Sequence, residues 1–515
     1  MSDKQEIAVT DIDSLPDTTP ILVGAGQVVQ REATADSPMA LATEAARRAL
    51  AHAGGSGLVA AIDTISVTRL FTDSMGIPKC PFGRSANPPM SIARGLGAAP
   101  AHCIYGQVGG NEPQSRVIEF AGDIARGERS LVLLAGGEAI KNQRQAQRTG
   151  QTLDWTQNFD ERDLPLEDRG WGKLFVTEQE VSNGMLAPMV YYGLIEQAQA
   201  SARGRSTGDH RAAMATLLAS FSEVAAANPH AQFPTMQSAE EILSAAPLNH
   251  LYSKRMIAQD SVNQGAALLM CSVAMARQLG IPRDHWVFVH GLAEGEEVNL
   301  SERDQPARSP MAEAVLTRAL SLAETQAGDL DLVDIYSCFP CAVTTVADFL
   351  GLPTDGSRPL TLTGGLPYFG GPGNNYVMHS LAEAVAQLRA SSRAYALVTA
   401  VGGMLSKHAA GLYSREPSPV NWAEVDTRVD LENTARRPIV AAPTRGCIVS
   451  HLVNYRDGQP AQALILAGTA EGGRFVATTA PGDLATVTAM LAGDPAGRAV
   501  QVAEAGNGAL HFSLA

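Results

Sequence analysis

The sequence predicts a mixed α/β protein with a duplicated core and a small β-rich domain at its C-terminal end. The first observation is the order strand, helix, strand between Ile21 and Leu70, which is typical of α/β folds. The second is that a similar order of elements returns between Met311 and Ala400, which indicates an internal duplication. The third is a set of short strand-like runs after about residue 430, which predicts a small β-barrel or sandwich.

The length and composition indicate a compact soluble protein of several domains. A chain of 515 residues is too long for one hydrophobic core, so about two to four domains are expected. The chain is 45% hydrophobic and 18% charged, and its 48 glycines and 29 prolines predict many turns. Its net charge of −14 argues against a nucleic-acid partner, because neutralising phosphates needs a basic surface.

The N-terminal segment and the number of cysteines indicate the cellular compartment of the protein. Residues 1–19 are polar and acidic, which predicts a disordered tail and no export signal. No apolar run reaches the ~18 residues of a membrane span. Six cysteines in this length do not make a disulfide framework. We therefore expect a cytoplasmic protein.

The first half of the core is predicted to span residues 20–280. It opens with the strand Ile21–Gly26, whose Gly-x-Gly ending resembles the start of a dinucleotide fingerprint. Val29 stands where that fingerprint needs its third glycine, so a nicotinamide site is a weak alternative. An amphipathic helix follows over Met39–Gly54, and Ala61–Leu70 is predicted as the next strand.

A second turn and helix lead to the middle of this half. The turn Gly106–Pro113 places its proline at the first helical position, and the helix is predicted to end near Gly127. Leu131–Gly137 is an apolar run typical of buried parallel strands. Residues of about 140–245 are more polar and are predicted to form an inserted, mostly helical lobe. The apolar run Ser261–Val273 is predicted as the next strand.

The second half is predicted over residues 281–420. It contains the helix Met311–Ala323, the strand Leu330–Tyr336, the helix Ala342–Leu350 and the strand Ala394–Ala400. A separate β-domain is predicted over residues 430–515, with Arg456–Gly458 as a hairpin turn.

The loop Thr363–His379 is the stretch around which we expect the site to form. It holds five glycines and two prolines and runs directly into a helical pattern. Glycine is needed where the backbone approaches a ligand closely, and a helix N-terminus presents unpaired N–H groups. This pattern predicts the floor of an active site; an ordinary surface loop is the alternative.

Four motifs resemble those of the thiolase superfamily, over about residues 20–415. Gly364–Pro372 has the spacing of the thiolase G-G-x-x-x-x-G-H-P loop, and Tyr336–Phe339 is similar to the H-D-C-F box of sterol-carrier-type thiolases. The run Gly110–Gly137 resembles the nucleophile helix and its following strand, and Thr399–Gly403 resembles the C-x-G strand. The similarity is to the thiolase-like branch named acetyl-CoA acetyltransferases.

The resemblance implies both a fold and a substrate class. The implied fold is α/β, a thiolase-like duplicated five-layered fold with an inserted loop domain, plus an extra OB-like β-barrel domain at the C-terminus. The implied substrate is an acyl-CoA, that is, a coenzyme A thioester, and no tightly bound cofactor is implied. The family is usually dimeric, so a homodimer is implied, and a monomer remains an alternative.

The chain departs from the family at the positions that carry the chemistry. A thiolase needs a cysteine nucleophile, a histidine that activates it and a second acid/base cysteine. Matched to the family motifs, these positions hold Gly110, Gly371 and Ala400 here, and the histidine of the H-D-C-F box is Tyr336. Only Cys338 remains, so the usual acyl-cysteine chemistry is not expected.

A different set of residues is therefore predicted to form the site. The predicted catalytic residues are Cys338, Tyr336, Tyr376 and His379. The tyrosines are expected to act as acid/base groups with lowered pKa or as oxyanion donors, and Tyr376 lies where steroid side-chain aldolases of thiolase-like fold carry a tyrosine. The predicted oxyanion and substrate-binding residues are Gly109, Gly110, Asn111, Gly370, Gly371, Asn375 and Gly402. Ordinary packing roles for the tyrosines, His379 and Cys338 are the alternative.

Three further alternatives remain open at this point. Cys338-Phe-Pro-Cys341 has the spacing of a redox dithiol, and cysteines at a helix N-terminus have lowered pKa values. No further Cys/His pair completes a metal site, so none is predicted.

The predicted activity is acyl-transfer or carbon–carbon bond chemistry on CoA thioesters, as in the transferase class. The alternatives are a non-catalytic acyl-CoA or lipid-binding protein and a retro-aldol lyase that acts with a partner domain.

Overall fold

The computed structural model describes residues 14–74, 79–160, 165–391, 395–431, 435–506 and 508–515. Most of the predicted tail over residues 1–19, and the first residue of the strand predicted from Ala394, lie outside the described residues. Among the described residues, no helix has the length and apolar character that crossing a bilayer requires. The boundaries given above for the domains stay predictions.

The helices of the described residues are α1 (Pro38–Ala53), α2 (Leu58–Ala61), α3 (Pro88–Leu96), α4 (Glu112–Ala125), α5 (Ile140–Thr149), α6 (Glu178–Ser182), α7 (Pro188–Ala202), α8 (Thr207–Ala227), α9 (Ala239–Ser244), α10 (Val273–Gln278), α11 (Pro310–Leu322), α12 (Pro340–Leu350), α13 (Tyr376–Ala390) and α14 (Leu484–Ala489).

The strands are β1 (Pro20–Val29), β2 (Thr64–Val67), β3 (His102–Tyr105), β4 (Leu131–Ala139), β5 (Leu166–Asp168), β6 (Asn263–Ser272), β7 (Val287–Glu296), β8 (Leu332–Asp334), β9 (Ala396–Gly402), β10 (Lys407–Ser414), β11 (Arg428–Val429), β12 (Arg445–Arg456), β13 (Gln459–Gly468), β14 (Arg474–Thr479), β15 (Ala499–Glu504) and β16 (Leu510–Leu514).

The same pattern of strand pairing occurs twice. In the first half β2 pairs with β4 in parallel, and β4–β6 and β6–β1 are antiparallel. In the second half β8 pairs with β9 in parallel, and β9–β10 and β10–β7 are antiparallel. A short antiparallel contact of β1 with β7 joins the two half-sheets. The predicted internal duplication is therefore confirmed.

The two half-sheets and their helices form five layers. Helices α4 and α13 contact each other and strands of both half-sheets, so they form the middle layer. Helices α1 and α3 cover the outer face of the first half-sheet, and α11 covers that of the second, with α12 beside it. The central position of α4 and α13 brings the loops before them, one from each half, to the same place.

The glycines at the end of the first predicted strand serve helix packing. A β-carbon on Gly24 would meet the backbone of Ala49, and one on Gly26 would meet the backbone of Ala45. Both glycines therefore allow α1 to lie close on β1. In a dinucleotide-binding fold, one glycine of the fingerprint also allows a helix to pack closely on a strand. The glycines here have that packing role, and strand β1 continues past them to Val29 where a nicotinamide site would need a phosphate-binding turn.

The C-terminal strands close into a barrel in the order β12-β13-β14-β16-β15. The predicted hairpin turn between β12 and β13 is present, with Asp457 at φ 52° and Gly458 at φ 75°. The barrel packs on α7: the Ser450 hydroxyl donates to the Leu194 carbonyl at 2.6 Å. A β-carbon on Gly193 of α7 would meet Leu452 of β12, so a glycine there lets the barrel strand approach the helix closely.

Candidate functional site

A cleft of about 590 Å³ lies where the loops of the two halves meet. Its inner walls come from the loop before α4, the residues before α12, the loop before α13 and the end of β9. Its mouth is formed by residues 171–176 and the start of α7. The residues that line it in these six segments include Val108, Gly109, Gly110, Tyr336, Cys338, Phe339, Gly371, Gly373, Asn374, Val401, Gly402, Gly403, Met404, Trp171, Leu174, Phe175, Leu186 and Met189.

Tyr336 fills the place of the missing nucleophile. A β-carbon on Gly110 would overlap the Tyr336 hydroxyl and the Val401 carbonyl oxygen. No cysteine side chain fits there with Tyr336 in place. Glycine in place of the nucleophilic cysteine and tyrosine in place of the box histidine are thus linked. The phenol of Tyr336 takes the space that a cysteine side chain at position 110 would need.

Two residues that line the cleft beside each other, Gly110 and Tyr336, carry hydrogen-bond donors. Within the described residues, neither the Gly110 amide nor the Tyr336 hydroxyl has a hydrogen-bond partner. Burial raises the pKa of Tyr336 well above the usual value of a phenol. The hydroxyl therefore keeps its proton at neutral pH and can donate a hydrogen bond to an oxyanion. The expectation of a lowered tyrosine pKa is wrong, because desolvation disfavours the phenolate.

Of the other predicted backbone donors, two are already engaged. The Gly109 amide donates to Oδ1 of Asn374 at 3.1 Å, and the Gly371 amide donates to the Gln259 carbonyl at 2.8 Å. Gly402 lines the cleft beside Gly109, since a β-carbon on Gly402 would come within 3.3 Å of the Gly109 Cα. These glycines shape the cleft by their small size more than by their N–H groups.

Cys338 lies in the cleft as a neutral thiol. Burial raises its pKa to about 12, and a hydrogen bond with Tyr192 offsets only part of that effect. Cys341 lies behind it, buried, with its amide donating to Glu196 at 2.8 Å, and burial raises the pKa of that thiol too. Both are free thiols. The lowered pKa values expected of a redox dithiol are therefore not found, because burial outweighs the helix N-terminus.

Tyr376 and His379 lie behind the cleft and do not line it. The Tyr376 ring packs edge-on against that of Tyr336, with centroids 5.7 Å apart, and its hydroxyl bonds Oγ1 of Thr363 at 2.6 Å. Nδ1 of His379 bonds Oε1 of Gln27 at 2.7 Å. Burial raises the pKa of Tyr376 and lowers that of His379 to about 3. Direct contact of either side chain with substrate in this cleft is not supported.

Asn111, Gly370 and Asn375 also lie outside the lining of the cleft. Oδ1 of Asn111 is buried without a partner among the described residues and sits where a β-carbon of Gly402 would be. The side-chain amide of Asn375 is buried against Gly136. These residues support the walls of the cleft from behind.

Asn374 and Lys407 are among the polar residues of the cleft that were not predicted from the sequence. Asn374 accepts from Gly109 and donates to the Arg69 carbonyl at 2.9 Å, so it ties the second-half loop to the first half. Lys407 places its ammonium 3.3 Å from the Val108 carbonyl oxygen. Asn374 lies in the glycine-rich loop from which the site was predicted, and this position could have drawn attention to it. No comparable signal marks Lys407.

Across the described ranges, no three His, Cys, Asp or Glu side chains lie together as metal ligands do.

A solved structure is similar to this chain over nearly all of its length. The crystal structure of a monomeric SCP2-thiolase like protein type 1 from Mycobacterium smegmatis is 36% identical, covers 97% of this chain and 100% of that chain, and has a TM-score of 0.81. The structure of an Ltp2-ChsH2(DUF35) aldolase covers 77% of this chain and 98% of that chain, at 17% identity and a TM-score of 0.57. That second likeness shows the fold alone.

Sequence comparison adds a shorter match. An acetyl-CoA acetyltransferase from Methanothermobacter thermautotrophicus is 28% identical over 188 residues, which is 32% of this chain and 47% of that protein. The match thus spans about half the length of this curated relative. No family model matches the chain.

Proposed function

Because the chain belongs to the SCP2-thiolase-like branch of the thiolase superfamily, we propose that it binds a CoA thioester in the cleft and acts on it without a cysteine nucleophile. The reaction is carbon–carbon bond making or breaking, or acyl transfer, next to the thioester carbonyl. The observation that carries this proposal is the pair of free donors at Gly110 and Tyr336, which face one cleft from opposite halves of the fold.

The pair suits a thioester carbonyl. When the carbonyl carbon is attacked, or when its neighbouring carbon loses a proton, negative charge develops on the carbonyl oxygen. An N–H and a neutral phenol fixed beside that oxygen stabilise the charge without rearranging. Loss of one such donor typically costs about 10²–10³ in kcat.

The rest of the cleft suits an acyl chain. Apolar side chains dominate its outer part, and Trp171, Leu174 and Leu186 remain 46%, 48% and 72% exposed at its mouth. Apolar surface of this kind is covered when an apolar ligand binds. The cleft therefore suits a CoA ester of an apolar acid, and retro-aldol cleavage of a 3-hydroxyacyl-CoA is one reaction of the proposed class.

A second candidate is a non-catalytic acyl-CoA-binding protein. It is favoured by the same exchange at Gly110, which removes the nucleophile's space, and by the raised pKa of Cys338, which leaves no thiolate to replace it.

The test compares binding and turnover in one protein preparation. Affinity for acetyl-CoA and for a long-chain acyl-CoA is measured by calorimetry, and turnover by chromatography with a panel of 3-oxo- and 3-hydroxyacyl-CoAs. Tyr336→Phe removes one proposed donor and keeps the ring, so turnover should fall about 10²–10³-fold with binding retained. Tyr455→Phe, in the barrel, is the matched control.

The outcomes separate the candidates. Binding with no turnover across the panel favours the binding protein. Unchanged turnover in Tyr336→Phe removes the hydroxyl from the mechanism. Absence of binding to every CoA thioester overturns both candidates.

A further inference from the structure

Lys407 places an amine at the same corner of the cleft as the two donors. It begins β10 and lies opposite Gly402 of β9 in the strand register. Its side chain runs past Gly109, with Cδ 3.8 Å from the place of a β-carbon on that glycine. Nζ donates to the Val108 carbonyl at 3.3 Å. The residue lines the cleft and is only 7% exposed.

Its partners are unusual for a lysine. Within the described part of the chain, two lysines line the cleft, and they differ in environment. Lys173 is at the mouth, 60% exposed, and pairs with Glu296 at 3.3 Å. Lys407 is paired with no carboxylate within ion-pair distance in those residues, and its one hydrogen bond goes to a neutral carbonyl. A buried, weakly compensated ammonium releases its proton more readily than one in water.

The charged groups around Lys407 have opposite effects on its pKa. Glu296 and Glu294 face it from β7 and Glu112 from α4, and they favour the ammonium; Lys173, from the loop at the mouth, disfavours it. Burial is the largest effect, so the net result is a pKa below the usual value of a lysine. A buried lysine whose pKa is lowered has a larger fraction of neutral amine and can serve as a general base.

We propose that Lys407 is the general base that removes a proton from the carbon next to the thioester carbonyl, while Gly110 and Tyr336 hold the enolate oxygen. The inference rests on the proposed function, since it needs a CoA thioester in the cleft.

The step is balanced within the site. The neutral amine of Lys407 forms an N–H bond as the Cα–H bond breaks. The electron pair of that bond moves into the carbonyl, and the oxygen becomes the enolate oxyanion. The ammonium then returns its proton to the carbanion or to a product. No oxidant, metal or second substrate takes part in this step.

The other groups near the carbonyl do not suit the role of base. The phenol of Tyr336 and the thiol of Cys338 keep their protons, because burial raises both pKa values. His379 is neutral but does not line the cleft. Asp260 also lines the cleft, but both of its carboxylate oxygens accept hydrogen bonds from the Arg144 guanidinium at 2.7 Å. Lys407, in contrast, has no carboxylate partner within ion-pair distance among the described residues, and burial favours its neutral amine.

The experiment measures enolisation directly. Acetyl-CoA is incubated with the full-length protein in D₂O, and loss of the acetyl methyl proton signal is followed by NMR. Wild type should exchange these protons, at a rate that rises with pH and levels off above the pKa of Lys407. Lys407→Met should reduce the rate about 100-fold or more. Lys254→Met, outside the cleft, is the matched control and should exchange as wild type does.

Lys407→Arg tests whether Lys407 acts as a base or only through its positive charge. Arginine keeps a cation at this place but stays protonated. It should bind acetyl-CoA, measured by calorimetry, and lose exchange as Lys407→Met does. It also provides a second variant should the methionine variant fail to fold, which thermal unfolding would reveal.

Three results would overturn the inference, and they are distinct from failure of the proposed function. These are exchange at the wild-type rate in Lys407→Met, exchange at the wild-type rate in Lys407→Arg, and a wild-type protein that binds acetyl-CoA without exchanging its protons. Each leaves CoA thioester binding intact. A wild-type protein that binds no CoA thioester overturns the proposed function itself.

Discussion

The hydroxyl of Tyr336 occupies the space that a β-carbon on Gly110 would take. The two residues come from different halves of the core, so this contact couples the halves at the base of the cleft. A side chain at position 110 must displace the phenol and also avoid the Val401 carbonyl, which is backbone and cannot move aside.

The first prediction concerns this contact. Gly110→Ala should lower the free energy of unfolding by about 1–3 kcal/mol, as overpacking of a filled site does. Urea unfolding measures the change. Gly328→Ala is the matched control, because a β-carbon there meets no atom within 4 Å. The double variant Gly110→Ala, Tyr336→Ala should lose less stability than the sum of the single changes. Strict additivity would show that the two sites do not share the space.

Asn374 gives the second prediction. Asn374→Ala leaves the Gly109 amide and the Arg69 carbonyl without their partner. Each buried group left unpaired costs about 1–3 kcal/mol. The variant should therefore unfold at lower urea concentration and bind acyl-CoA more weakly, since the loop that it anchors lines the cleft. Asn421→Ala, on an exposed turn, is the comparison. Wild-type stability in Asn374→Ala would contradict the anchoring role.

The third prediction concerns the thiols. Because burial raises the pKa values of Cys338 and Cys341, iodoacetamide at pH 8 should alkylate the exposed Cys447 of the native protein well before either of them. Mass spectrometry of the labelled peptides gives the rates, and the urea-unfolded protein gives the reference. Rapid labelling of Cys338, or a disulfide between Cys338 and Cys341 after mild oxidation, would favour the redox interpretation.

The fourth prediction is a pH dependence of stability. Burial lowers the pKa of His379 in the fold to about 3, from the usual value of 6.5. As the pH falls below about 6.5, the unfolded chain binds a proton that the folded protein does not, so His379 makes the fold less stable down to about pH 3. Its contribution to the slope is at most about 1.4 kcal/mol per pH unit.

His379→Gln should therefore show a shallower loss of stability than wild type between pH 6 and pH 4, in urea unfolding at each pH. His102→Gln, an exposed histidine in the same protein, is the control for general effects of removing a histidine. Equal slopes in wild type and His379→Gln would show that His379 is not held neutral by the fold.

Much of the fold could be predicted because it follows from local patterns. Alternation and helical periodicity gave the order of elements in each half, and the repeated order gave the duplication. Strands β7 and β10 escaped prediction. Their apolar runs are short, since His290 interrupts β7 and His408 interrupts β10, and glycines weaken both patterns further. In the fold, Gly291 of β7 is required because a β-carbon there would meet the backbone of Ala319 on α11.

The candidate site was predicted in part. Gly110, Tyr336 and Cys338 were found because the motifs that carry them lie at fixed spacings along the chain, and all three line the cleft. Tyr376 and His379 were placed in the site because they share one helix next to the glycine loop. That helix, α13, is buried between two half-sheets, so closeness in sequence does not say which side chain faces the cleft.

The sequence by itself determined the duplicated α/β core, the C-terminal β-domain and the loss of the thiolase nucleophile, because order, periodicity and motif spacing are properties of the chain. Only the tertiary structure decided which polar groups meet in the cleft and which of them hold their protons. Lys407 reaches Val108 across the junction of the two halves, and burial sets the proton affinities of Tyr336, Cys338 and Lys407. Both depend on packing between segments far apart in sequence, which no local pattern records.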